Sequence, residues 1–216
     1  MKTSLFTWIL LCSSFLHAQY YDYTGKVRGI SIATSPIVSL HEKKATPQLN
    51  YYTTSLAYSQ MLVPGVFPSL GYTYQRAYTT SNEYNRFTPE LPFNDGHQLN
   101  LSIEFRKCVL SKTYKVTSVM GCFFKRMGIL LAPEYNYLYS QQLKNTSHGE
   151  FALKTGLYFY QGSTKINVSK NIIYAVYYRK GFTPLITSSD GNNSFYRDEI
   201  GVSVCILFRE LYRFGW

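Results

Sequence analysis

No stretch of this 216-residue chain is long and apolar enough to cross a membrane as a helix. The apolar run Leu5–Leu16 falls short of the ~20 residues such a helix needs, and nothing later exceeds it. Histidine is scarce at four residues. No glycine-rich phosphate loop, metal-ligand spacing or nucleophile elbow is present, so no enzyme chemistry, metal or cofactor is indicated. Internal repeats, low-complexity tracts and linkers are missing too, which leaves a single folded unit. Acidic residues number 12 against 22 basic ones, a net charge of +10. That charge is spread along the chain rather than gathered in a patch, so it offers no nucleic-acid surface. Tryptophan occurs only twice, against 21 tyrosines and 14 phenylalanines. Amphipathic aromatics in that number suit a protein with two membrane–water interfaces to line.

The N-terminus reads as a secretory signal over residues 1–18. Lys2 supplies the charge, Leu5–Leu16 the apolar core and Ala18 the small residue before cleavage. Cys12 is excluded as a lipoprotein acylation site because Leu11 stands where a small residue is needed.

What is present is alternation. From Ile200 to Trp216 the even positions are Ile200, Val202, Val204, Ile206, Phe208, Glu210, Tyr212, Phe214 and Trp216. The odd ones include Gly201, Ser203, Cys205 and Arg209. Side chains alternate across a strand, so this is one strand with an apolar and a small or polar face. Seven more precede it: Lys26–Leu40 with a bulge at Pro36, Leu49–Leu62, Ser69–Thr80, a strand around Leu99–Arg106, one around Ile129–Ser140 with Pro133 at a bulge, Phe151–Tyr160, and Ile166–Phe182 with a candidate bulge at Ser169–Asn171. Val63-Pro64-Gly65 is a tight turn. Loops are expected at 41–48, 81–96, 144–149 and 187–198.

An even number of antiparallel strands closes without exposed edges, so the expected fold over residues 19–216 is all-β, a single up-and-down antiparallel transmembrane β-barrel of about eight strands. Alternation does not distinguish inside from outside. A soluble lipocalin-like binder would turn its apolar face inward around a ligand. Here one parity collects Glu104, Arg106, Glu134, Lys154, Arg179 and Arg209, and charge fits a lumen better than a lipid face. In a barrel just wide enough for side chains to fill, these six read as a paired network that plugs the lumen. A rim enzyme, a hydrolase or acyl-transferase, would instead draw on Asp95, His97, His148 and Asp190, but no motif binds those together.

With its signal, eight strands and terminal aromatic, the chain resembles the small outer-membrane β-barrels of Gram-negative bacteria, of the OmpA/OmpX transmembrane or PorT-like kind. The likeness is one of pattern over the whole mature chain, with no fingerprint matched residue by residue. It implies a place in the cell outer membrane, with lipid and the barrel-insertion machinery as partners. Phe214 and Trp216 would be the insertion signal. No anchoring domain is expected after Trp216. The implied role is a non-enzymatic, structural or interaction component of the envelope, with secretion as one setting. Both termini would then face the periplasm, as would the long connection 107–126. In that oxidising compartment Cys108 and Cys122 are candidates for a disulfide closing a loop of about fifteen residues, worth about 3 kcal/mol. Lys112, Lys115, Lys125 and Arg126 would be offered by that loop to a periplasmic protein partner.

Overall fold

A strand whose neighbours bury one parity and expose the other must keep its register, because a slip of one residue turns every side chain over. In the computed structural model this rule holds around a complete circuit. The structure describes residues 27–42, 51–63, 65–77, 95–108, 127–141, 143, 148–161, 170–187 and 194–209. They form β1 (Val27–Glu42), β2 (Tyr51–Gln60), β3 (Val66–Ala77), β4 (Asp95–Cys108), β5 (Met127–Tyr139), β6 (Gly149–Gln161), β7 (Lys170–Gly181), β8 (Ile186–Thr187) and β9 (Ser194–Arg209). Each of β1 to β7 pairs antiparallel with the next, β7 pairs with β9, and β9 returns to β1. Eight strands therefore close an up-and-down barrel, with β8 a two-residue addition on β9.

Followed from Ile30 through successive pairings to Phe151, and extended in the same register through Phe182 to Tyr196, the circuit comes back to β1 at His41. Such a stagger tilts the strands by ~40° to the barrel axis. The described strand ends fall into two groups. The near end gathers Val27, Gln60, Val66, Cys108, Met127, Gln161, Lys170 and Arg209; the far end gathers Glu42, Tyr51, Ala77, Asp95, Tyr139, Gly149, Gly181 and Ser194.

The bulge in β1 lies where Pro36 suggests it. Pairing with β2 slips between Ser35 and Val38, and pairing with β9 slips between Thr34 and Ile37. Below the bulge Ile30, Ile32 and Thr34 are exposed; beyond it Val38 and Leu40 are buried. One extra residue has exchanged the parities. Pro133, in contrast, makes no bulge. The β4–β5 register passes from Ser102–Glu134 to Phe105–Leu131 without a shift, and β5–β6 runs unbroken through Pro133–Leu153. Proline removes one donor from one side of a strand, and the ladder on the other side holds the register. Nor is there a bulge at the start of β7: Lys170 and Asn171 pair in unshifted register with Phe208 and Leu207, while Ser169 is outside the described residues.

Two strands run farther than their sequence suggests. β9 starts at Ser194, inside the span expected to be loop, and β4 starts at Asp95. At the near end Val66 N–H donates to the Val63 carbonyl at 2.9 Å. Gly65 sits in that turn with φ 84°, a conformation that costs other residues a clash at Cβ.

Candidate functional site

The barrel's outer face is apolar. Ile30, Ile32, Leu56, Leu70, Leu99, Leu101, Ile103, Ile129, Leu157, Val176, Val202 and Val204 all point out and are exposed. Charge is inside, and it is linked end to end. The Arg106 guanidinium pairs with Glu104, whose other oxygen lies 2.9 Å from Lys154 Nζ. Lys154 reaches on to Glu134 at 3.2 Å. Arg179 takes Glu134 through Nε and Glu199 through Nη1, each at 2.6 Å. Arg197 stands 3.8 Å from Glu199 and 2.5 Å from Glu150. Four carboxylates and four cations thus alternate along the lumen, from beside the Gly65 turn toward the far end.

Each strand supplies these groups from its inward parity, so their spacing is a product of register. Ser102 faces Glu134, Lys154 faces Arg179, and Arg179 faces Glu199 across neighbouring strands. Buried charge demands partners on every side, since desolvation of an ion costs several kcal/mol. Neutral groups add to these pairs. Ser35 Oγ donates to Glu199 at 2.5 Å and Tyr177 Oη donates to it at 3.1 Å. Asn136 donates to Glu150 at 3.1 Å, and Arg197 donates to Gln98 Oε1 at 2.6 Å. Gln98 in turn donates to Gln75 at 2.5 Å. The Tyr177 ring packs against Gly201 and Tyr158 against Gly128; a Cβ at either glycine would collide with the ring.

Apolar layers close the column at both ends. At the near end Phe67, Leu130, Tyr158, Ile173, Cys205 and Leu207 pack together, with Arg106 lying 4.4 Å over the Phe67 ring. At the far end Val38, Leu40, Tyr51, Leu138, Leu185 and Ile186 do the same. Leu185 and Ile186 belong to the chain between β7 and β9. That segment turns into the barrel mouth and is tied down by Leu185 N–H on the Phe195 carbonyl at 2.8 Å and by Phe151 N–H on Thr183 Oγ1 at 2.7 Å. Between the layers a cavity of about 40 Å³ separates the ion chain from a wall of small residues, Ser31, Ala57, Gly71 and Ser203 among them. It has room for about three waters.

Of the six inward charges read from sequence, Glu104, Arg106, Glu134, Lys154 and Arg179 stand in this chain. Arg209 ends β9, and its side chain is outside the described residues. Glu150, Arg197 and Glu199 were not among the six. They fall in or beside segments expected to be loops; the signal for Arg197 and Glu199 is the β9 parity carried upstream of Gly201, and for Glu150 the β6 parity carried upstream of Ala152 and Lys154. Asp95 and His97 do not meet His148 in any rim site. They face outward on β4, where Tyr74 Oη donates to Asp95 at 2.7 Å and Tyr72 Oη lies 2.5 Å from His97 Nδ1. Cys108 is the last residue of β4. Its side chain, together with Cys122, Lys112, Lys115, Lys125, Arg126, Asp190, Phe214, Trp216 and the signal segment, is outside the described residues. No group of three or more His, Cys, Asp or Glu side chains suited to a metal occurs among the described residues.

No family model and no curated protein matches the chain. Among solved structures it is similar to Neisserial surface protein A, at 9% identity and a TM-score of 0.44 over 85% of this chain and 97% of that one. It is similar also to Ail, the attachment invasion locus protein of Yersinia pestis, at 14% identity and a TM-score of 0.38 over 85% and 99%. A third likeness is to the outer membrane protein OprG of Pseudomonas aeruginosa, at 14% identity and a TM-score of 0.37 over 86% and 97% of the two chains.

Proposed function

We propose that this chain is an integral outer-membrane barrel with a plugged lumen, serving the cell envelope as a structural or interaction component rather than as a pore or an enzyme. One observation carries the reading: the barrel is apolar outside and ion-paired inside. A water-soluble ligand-binding barrel needs the opposite arrangement, a polar exterior around an apolar pocket. An exterior of Ile, Leu and Val on every strand would aggregate in water, whereas lipid satisfies it without cost. Fractionation tests this directly. The protein is expected to stay with the membrane pellet through sodium carbonate and to come out only with detergent. Release by carbonate alone would overturn the membrane reading.

The interaction role rests on the connection after β4, where Lys112 and Lys115 lie between Cys108 and Cys122, and Lys125 and Arg126 follow Cys122. On this proposal, replacing the four cations by alanine leaves a folded barrel that no longer co-purifies with its periplasmic partner. An unchanged set of co-purifying proteins would leave the barrel with a structural role alone.

A further inference from the structure

Charges on an outward face of a lipid-embedded barrel are costly except near the headgroups, so their positions report where the hydrocarbon ends. On β4 the outward residues Leu99, Leu101, Ile103 and Phe105 are bracketed by His97 at the far end and Lys107 at the near end. The ten residue steps from His97 to Lys107, at about 3.4 Å rise and ~40° tilt, cover about 26 Å, close to the ~25 Å height of an apolar barrel band. The far boundary therefore passes through His97. Two aspartate-centred clusters occupy that end of the outer face. In one, Asp198 accepts from Tyr178 Oη at 2.8 Å, lies 3.7 Å from His41 and 3.9 Å from Lys180, and is only 18% exposed. That aspartate is enclosed by its own neighbours.

The other cluster is open. Arg76 and Asp95 are each 54% exposed and meet loosely, with Nε 3.7 Å from the carboxylate. Tyr72 and Tyr74 stack and tilt against the His97 ring, at centroid distances of 5.9 and 5.6 Å, and Tyr139 faces His97 from β5. A cation and an anion thus stand side by side at the boundary, walled by aromatic rings. Resting on the membrane reading above, we infer that this β3–β4 cluster seats a zwitterionic lipid headgroup: Arg76 takes its phosphate, while Asp95 and the rings take its ammonium. An anionic headgroup such as phosphatidylglycerol would set the same phosphate on Arg76 but bring no cation to Asp95 and the rings. An ammonium, by contrast, gains both the carboxylate and the ring faces.

The test is native mass spectrometry of the detergent-purified protein titrated with short-chain phosphatidylethanolamine or phosphatidylglycerol. Phosphatidylethanolamine is expected to bind more tightly, with Arg76→Gln and Asp95→Asn each lowering its affinity about tenfold, the loss of one charged hydrogen bond. Preference for phosphatidylglycerol, equal retention of both lipids, or indifference of both variants would overturn the headgroup assignment while leaving the barrel in its membrane. A chain that stays soluble without detergent and retains neither lipid would overturn the membrane reading itself.

Discussion

At the scale of single residues the lumen is a problem in pairing. Glu134 is held between Lys154 and Arg179, so its loss leaves two buried cations sharing too little negative charge. Glu134→Ala is expected to cost about 3–5 kcal/mol in urea unfolding from detergent micelles, the usual price of orphaning a buried charge. Arg197 and Glu150, both fully buried, end the chain. Arg197→Met alone should cost a similar amount, but Arg197→Met with Glu150→Leu should recover most of it, because the pair then leaves together. A double variant no more stable than Arg197→Met would mean that Glu199 and Gln98, rather than Glu150, are the partners that matter. Gly128→Ala tests packing rather than charge. Its new methyl meets the Tyr158 ring, and a loss of about 1–3 kcal/mol is expected, relieved when Tyr158→Leu is added.

For whole elements the controlling quantity is parity. β1 keeps Ile30 and Ile32 facing out and Val38 and Leu40 facing in only because one residue is inserted between Ser35 and Val38. Deleting Pro36 would remove that residue and turn Val38 and Leu40 out of the far-end apolar layer, or else break their pairing with β9. The deletion is expected to prevent folding, read as loss of the compact, heat-modifiable band on gels. Pro36→Ala keeps the residue count and should fold. The outer face gives a second measure. Leu101→Arg, midway between His97 and Lys107, should destabilise the barrel in lipid vesicles by about 2–4 kcal/mol, while a new arginine at Tyr74, near the boundary, should cost about 0–1 kcal/mol. Equal costs at the two positions would remove the depth difference between them.

Considered whole, the barrel has charge and apolar layers stacked along its axis, with a cavity of about 40 Å³ between them. On the plugged-lumen proposal, this column carries no continuous water path of porin width. Purified protein in planar bilayers is therefore expected to show no stable single-channel steps of porin size. Large and reproducible steps would mean that Leu185 and Ile186, or the ion chain below them, leave the lumen readily.

Strand number, direction and facing were legible in the chain because a barrel wall is made of local rules. Two-residue alternation names the outward residues one by one, as from Ile200 to Ile206, and Pro64-Gly65 and Pro36 mark a turn and a bulge by their own backbone limits. The polarity of the two faces followed as well, since Glu104, Glu134 and Arg179 share a parity with the small residues. Which charges meet did not follow. Glu150 and Arg197 are 47 residues apart, and Gln98 and Arg197 are 99. Only closure of β9 on β1, with its stagger around eight strands, brings them to one level of the lumen. Nor could alternation say how far β9 extends past Ile200. Asp198 and Tyr196 on its outer parity look like loop until Ser39 and His41 of β1 pair with them, and the burial of Glu199 and Arg197 depends on partners from β1, β6 and β7 that the chain reaches only when folded.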